Sequence, residues 1–164
     1  MFELKPISKE AIPRALEKAE RYRLLSEPAE AESICADILR VEPNHQRALV
    51  VQLLALTDRF GRAYGISTTR PEDLLPRLDS HYERAYYAGV IAERRAKSQL
   101  QQHLPGQTWY DGFREAMEHY AKAITLQPPG NDDAILRWNT CARILMQNQP
   151  RGPVEPGEYV PDIE

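Results

Sequence analysis

A spacing pattern laid down in the first third of the chain returns near its end. Phe113, Ala116, Tyr120, Ala123, Ile124, Leu126 and Pro128 each lie 85 residues after Pro28, Ala31, Cys35, Ile38, Leu39, Val41 and Pro43. The leading steps are three and four residues, which keep side chains on one face of an α-helix. A strand, with its period of two, would throw them to opposite faces. An echo of this kind, closed by proline in both copies, marks a repeated helical unit that cannot bury its apolar face without neighbours. The chain is therefore expected to be all-α.

Local signals place the helices. Ile12, Leu16, Ala19, Tyr22 and Arg23 predict a helix over 12–25. Ser26-Glu27-Pro28 stops it and restarts the chain, with Ser26 as the expected cap and Pro28 in the first turn. The second helix, over 28–41, aligns Ala31, Ile34, Cys35, Ile38 and Leu39. Pro43-Asn44 ends it and is expected to cap a third, which carries Leu49, Leu53, Leu56 and Phe60. Late in the chain, Asn131-Asp132-Asp133 opens a helix whose Ile135, Trp138, Cys141, Ala142 and Leu145 should face inward.

Helix, short turn, helix and proline, with small and aromatic residues at set offsets, resembles the tetratricopeptide repeat, whose helix pairs recur at about 34 residues. The first pair carries Ala19, Tyr22, Ala31 and Pro43 of that signature, and the later pair Gly89, Ala116, Tyr120, Ala123 and Pro128. Lys18 stands where the family prefers a large apolar residue, and Cys35 where it usually has an aromatic one. The matched pieces cover about two thirds of the chain. The resemblance implies an α-α superhelix, a solenoid of about three helix pairs plus a C-terminal capping helix, over residues 1–148.

The middle departs from that register, because the shift of 85 exceeds two repeats by about 17 residues. Gly61-Arg62-Ala63-Tyr64-Gly65 reads as a loop. Thr69 and Glu72 then have capping-box spacing with Pro71 in the first turn, and Ser80 and Glu83 repeat that spacing ahead of Ala85, Ala88, Gly89, Ala92 and Ala96. Pro76 lies between, so 71–103 is either one kinked helix or two. After Gln149 the run of prolines and glycines predicts an extended tail over 149–164. Its apolar residues Val154, Tyr159, Val160 and Ile163 suggest a segment that folds back into a groove.

Composition narrows function. A net charge of −3, with acids and bases interspersed, offers no field for a row of phosphates, so no nucleic acid is expected. No apolar run reaches membrane-spanning length, the first residues lack a secretion signal, and Cys35 and Cys141 sit in apolar helical runs, all of which fits a soluble, cytoplasmic protein whose two cysteines are free thiols unless the fold brings them within disulfide range. His45, His81, His103 and His119 are scattered; Glu115 and His119 are one turn apart, but two ligands rarely hold a metal. No glycine-rich phosphate cradle or nucleophile-and-base set is present, so neither enzyme activity nor a cofactor or metal is expected. The charged run Glu93-Arg94-Arg95, with Lys97 and Arg84, reads as a solvated face. Trp109, Tyr110 and Phe113 read as core packing.

The resemblance also implies where a partner would sit. In the family, the first helix of each pair lines a concave groove that receives a peptide or a helix. Here those positions are Leu16, Glu20 and Arg23, then Arg47, Val50, Leu54 and Thr57, then Glu83, Tyr86, Val90 and Glu93, then Ile135 and Asn139. Leu16, Glu20 and Val51 stand where the carboxylate-clamping version has Lys, Asn and Asn, and Val50 and Leu54 have core packing as an equal alternative. The competing class is a binding site or enzyme for a small anionic ligand within 61–110, gathering Arg62, Tyr64, Arg84, Tyr87, Arg94 and Trp109. Self-association through the exposed ends of a short solenoid, giving a homo-oligomer, is a third reading.

Overall fold

The computed structural model describes residues 1–62 and 68–149. Among these, every regular element is helical: α1 (Ile12–Leu24), α2 (Pro28–Val41), α3 (Gln46–Asp58), a 3₁₀ segment (Pro71–Arg77), α4 (His81–Gln101), α5 (Gly106–Leu126) and α6 (Asp133–Gln147), with a 3₁₀ turn (Lys9–Ala11) leading into α1. The expected fold-back of Val154, Tyr159, Val160 and Ile163 lies outside the described residues.

Both long hairpins turn in the same way. Ser26 (φ 61°) follows α1 and His103 (φ 54°) follows α4, each in the left-handed conformation that usually selects glycine. In each case the next N–H reaches back five residues, Glu27 to the Tyr22 carbonyl and Leu104 to that of Gln99, completing a Schellman turn. Ser26 therefore bends the chain and does not cap α2, whose N-cap is Glu27. A side chain in this conformation costs about 1–2 kcal/mol. Ser26→Gly and His103→Gly are each expected to stabilise by about 1 kcal/mol in urea melts, with additive gains because the two turns close different hairpins.

The other starts show which caps the backbone accepts. His45, not Asn44, caps α3: its Nδ1 accepts the Ala48 N–H at 3.2 Å, while Pro43 and Asn44 occupy the turn before it. Ser80 Oγ accepts the Glu83 N–H at 3.2 Å and opens α4 as the sequence predicts. In the middle the box lies one residue later than expected, with Asp73 accepting the Arg70 N–H at 3.3 Å. The segment 71–103 resolves into two elements, since Pro71 and Pro76 confine the first to a seven-residue 3₁₀ turn and α4 begins after it. The expected three helix pairs accordingly become two α-helical hairpins, α1–α2 and α4–α5, with α3 between them paired to a 3₁₀ segment, and α6 last.

The elements alternate between two layers. α2 packs on α1 and α3, the 3₁₀ segment on α3 and α4, and α5 on α4 and α6. One core joins Ile12, Ile38, Leu49, Leu53, Leu74 and Leu78; another joins Val90, Ala96, Trp109, Phe113, Tyr120 and Cys141, with Trp109 and Phe113 buried as the sequence suggests. Leu54 and Tyr87 touch both cores and tie them together. Ala31 and Ala116 are fully buried at matching places in the two hairpins. Ile135, Trp138 and Ala142 are only half-buried, and α6 turns Ala134, Cys141 and Leu145 inward.

Candidate functional site

The first layer is built from α1, α3, α4 and α6, and charged side chains stitch these helices together. Arg47 pairs with Glu20 at 2.6 Å and Arg23 Nε with Asp58 at 2.7 Å, linking α1 to α3. Arg94 on α4 pairs with the same Asp58, and also donates to Thr57 Oγ1 at 2.8 Å and to the Leu54 carbonyl at 3.3 Å. Arg137 on α6 donates to Glu93 on α4 at 3.2 Å, and Lys97 to the same carboxylate. Beneath them the Tyr120 hydroxyl of α5 donates to the other Glu93 oxygen at 2.6 Å. Arg23, Arg94, Arg137 and Lys97 thus share two carboxylates, Asp58 and Glu93, so this network holds more cations than carboxylates.

Burial makes these charges strong. It raises the Glu93 carboxyl, but hydrogen bonds from Lys97 and Tyr120 and the Arg137 charge outweigh it and hold the group below the usual carboxylate range. Burial lowers Arg94, and Arg23 and Arg137 add to that against the opposing pull of Asp58. Arg137 goes the other way: burial lowers it, but Glu93 and the Tyr86 hydroxyl more than compensate. Tyr120 is pushed far up by burial and by Glu93, so it stays a donor.

The residues expected to line a groove divide by depth. Leu16, Glu20, Arg23, Leu54, Tyr86, Ile135 and Asn139 are half-buried on the first layer and Arg47 is exposed. Val50 and Val90 are only 6% and 1% exposed; their side chains belong to the cores, so they support the face from behind and do not line it. Tyr86 is fixed by stacking on Tyr82 at 5.7 Å and by the edge of Tyr87 at 5.1 Å. The run Glu93-Arg94-Arg95 is not the solvated face its sequence suggests, because Glu93 is fully buried, Arg94 pairs with Asp58, and Arg95 pairs with Glu72 while covering the Phe60 ring. Sequence reasoning missed Asp58 and Arg137. The detectable signal for Glu93 was a carboxylate lying in the helical stripe of Ala85, Gly89, Ala92 and Ala96.

Among the described residues, those expected of the alternative anionic site lie in different surroundings. Arg62 lies near Arg59 and Pro28, Arg84 on the flank of α4 beside Leu75, Arg94 on Asp58, and Trp109 in the core. Burial pushes the half-buried Tyr87 hydroxyl up to about 12. Tyr64 lies outside the described residues.

Both cysteines are free and buried, in separate cores, and burial pushes each thiol up to about 12. Since the thiolate is the reactive form, Cys35 and Cys141 are expected to react with a thiol reagent such as Ellman's only after denaturant is added. Reaction of either thiol at the rate of free cysteine in native buffer would contradict this burial. Among the described residues no group of three His, Cys, Asp or Glu side chains is placed to hold a metal ion, and no helix is long and apolar enough to cross a membrane. Comparisons with protein-family models, curated proteins and solved structures find no match to the chain.

Proposed function

We propose that the protein is a tetratricopeptide-type interaction module, without chemistry of its own, whose first layer is a groove that holds an extended acidic segment of a partner polypeptide. One observation carries this reading: guanidinium groups from three helices, Arg23 of α1, Arg94 of α4 and Arg137 of α6, meet only two carboxylates, Asp58 and Glu93. Guanidinium N–H groups not engaged by Asp58 or Glu93 suit carboxylates and peptide carbonyls, which accept from Arg in pairs. Leu16, Leu54, Tyr86 and Ile135 add half-buried apolar surface beside them, and the Asn139 amide offers both a donor and an acceptor. Such a face gives orientation through charge and affinity through a few apolar anchors.

The test is capture of partners from the native cell with wild-type protein, Leu16→Glu and Arg23→Gln, after circular dichroism has shown equal helicity. Both substitutions should weaken the captured partner at least about tenfold, equivalent to about 1.4 kcal/mol, and wild-type binding should fall as salt is raised. Partners that bind both variants as well as wild type, but are lost on changes to α2 or α5, would reject this face as the groove.

A further inference from the structure

The second layer lacks a helix where the chain makes only a 3₁₀ turn. That segment packs on α3 and α4, and between it and α5 the flank of α4 forms the floor of an open cleft of about 530 Å³. Ala85 and Ala88, one turn apart, make the floor; Leu75 of the 3₁₀ segment and Leu126 of α5 make the two walls. Leu126 is 42% exposed, an apolar edge turned to solvent. Every charged or titratable side chain in the lining is basic: His81, Arg84, His119 and Lys122. Glu115 approaches His119 from one turn away at 3.8 Å but is not part of the lining. Arg84 donates one bond, to the Asp79 carbonyl at 3.3 Å, while its Nε–H is buried without an acceptor.

We propose that this trough is a second docking surface, separate from the first-layer groove, and that it takes an acidic amphipathic α-helix of a partner protein. The shape argues for a helix, because the trough runs where the layer omits one and its alanine floor permits the close approach of packed helices, with axes about 8–10 Å apart. The chemistry argues for acidic flanks. A partner helix with an apolar stripe between rows of Glu or Asp would set that stripe on Ala85, Ala88, Leu75 and Leu126, and would bring carboxylates to Arg84 on one side and Lys122 on the other.

The probe is a fluorescein-labelled, fifteen-residue helical peptide of Leu, Ala and Glu, with Leu at helical spacing and Glu on both flanks, read by anisotropy against the full chain. Its counterpart carries Gln for Glu. The acidic peptide should bind at least tenfold more tightly than the neutral one. Lys122→Glu, at an exposed position where folding is not at risk, should weaken it about threefold or more, and the double variant with Arg84→Glu at least tenfold. Arg14→Gln, outside both surfaces, should leave the affinity unchanged, and because the groove is read by partner capture and the trough by this peptide, failure of the groove reading and failure of this one are separable. Equal binding of the two peptides, indifference to Lys122→Glu, or loss on Arg14→Gln would overturn the proposal. So would a tenfold gain on deleting residues 150–164, whose four acids against the single Arg151 would then be the occupant in place of a partner.

Discussion

Replacing Glu93 with alanine is expected to lower the unfolding free energy by about 3–5 kcal/mol, the loss typical of breaking a buried ion pair from one side. The carboxylate is fully buried, and three groups converge on it from α4, α5 and α6. Without it the Tyr120 hydroxyl is left in a dry core with no acceptor, and Arg137 and Lys97 lose the charge that holds α6 on α4. Domains of this size have about 5–15 kcal/mol in all, so the variant should sit close to unfolding. Urea melts with an unchanged slope give the number. Tyr120→Phe removes one donor and leaves the carboxylate paired, so it should cost less, about 2 kcal/mol. If the two variants cost the same, Glu93 is not the junction of α4, α5 and α6.

The same carboxylate makes stability pH-dependent. In the folded chain Glu93 is held below the usual carboxylate range, and in the unfolded chain it returns to about 4.3. Glu72 follows: burial raises it, but the Arg95 hydrogen bond and charge outweigh that and hold it low. The unfolded state therefore binds more protons as acid is added. The stabilisation is complete above the unfolded value and drains away as pH falls through it toward the folded one. Melting temperature should hold near neutrality and drop below about pH 5, and Glu93→Gln should flatten that drop.

Gly89→Ala is expected to destabilise by about 2 kcal/mol, although helix propensity alone predicts a gain of about 1 kcal/mol for the same change. A Cβ at Gly89 would stand 2.6 Å from the Tyr120 ring, which has nowhere to go because it is fully buried and held at its hydroxyl by Glu93. The reversed sign is the diagnostic. Gly112 is the milder neighbour, since its Cβ would meet Ala96 at 3.0 Å and a few tenths of an ångström of give would admit it. A Gly89→Ala protein as stable as wild type would mean that α4 and α5 are not in close contact at Gly89 and Tyr120.

Much of the helical order was legible in the chain because its determinants are local. The range 28–41 follows from Pro28 at one end and Pro43 past the other, and α4 from Ser80 and Glu83. The misread caps share one cause. A serine, asparagine or threonine near a helix start is a candidate only until the backbone conformation is known; Ser26 is left-handed, and Asn44 is part of the turn before the actual cap, His45.

The face of the first layer was legible as a helical phase, but its depth was not. Val50 and Leu54 are one turn apart on α3, yet Val50 is sealed in one core while Leu54 is half-buried between two, a difference that tertiary packing sets and helical phase does not. Sequence by itself determined that the chain is helical, where most helices begin and end, and that small residues would sit where hairpins touch, because period, proline and missing side chains act within a few residues. Only the tertiary structure decided that a charged run would bury its glutamate. The groups that make this tolerable, Tyr120 and Arg137, lie 27 and 44 residues away, and only the packing of α5 and α6 brings them to it.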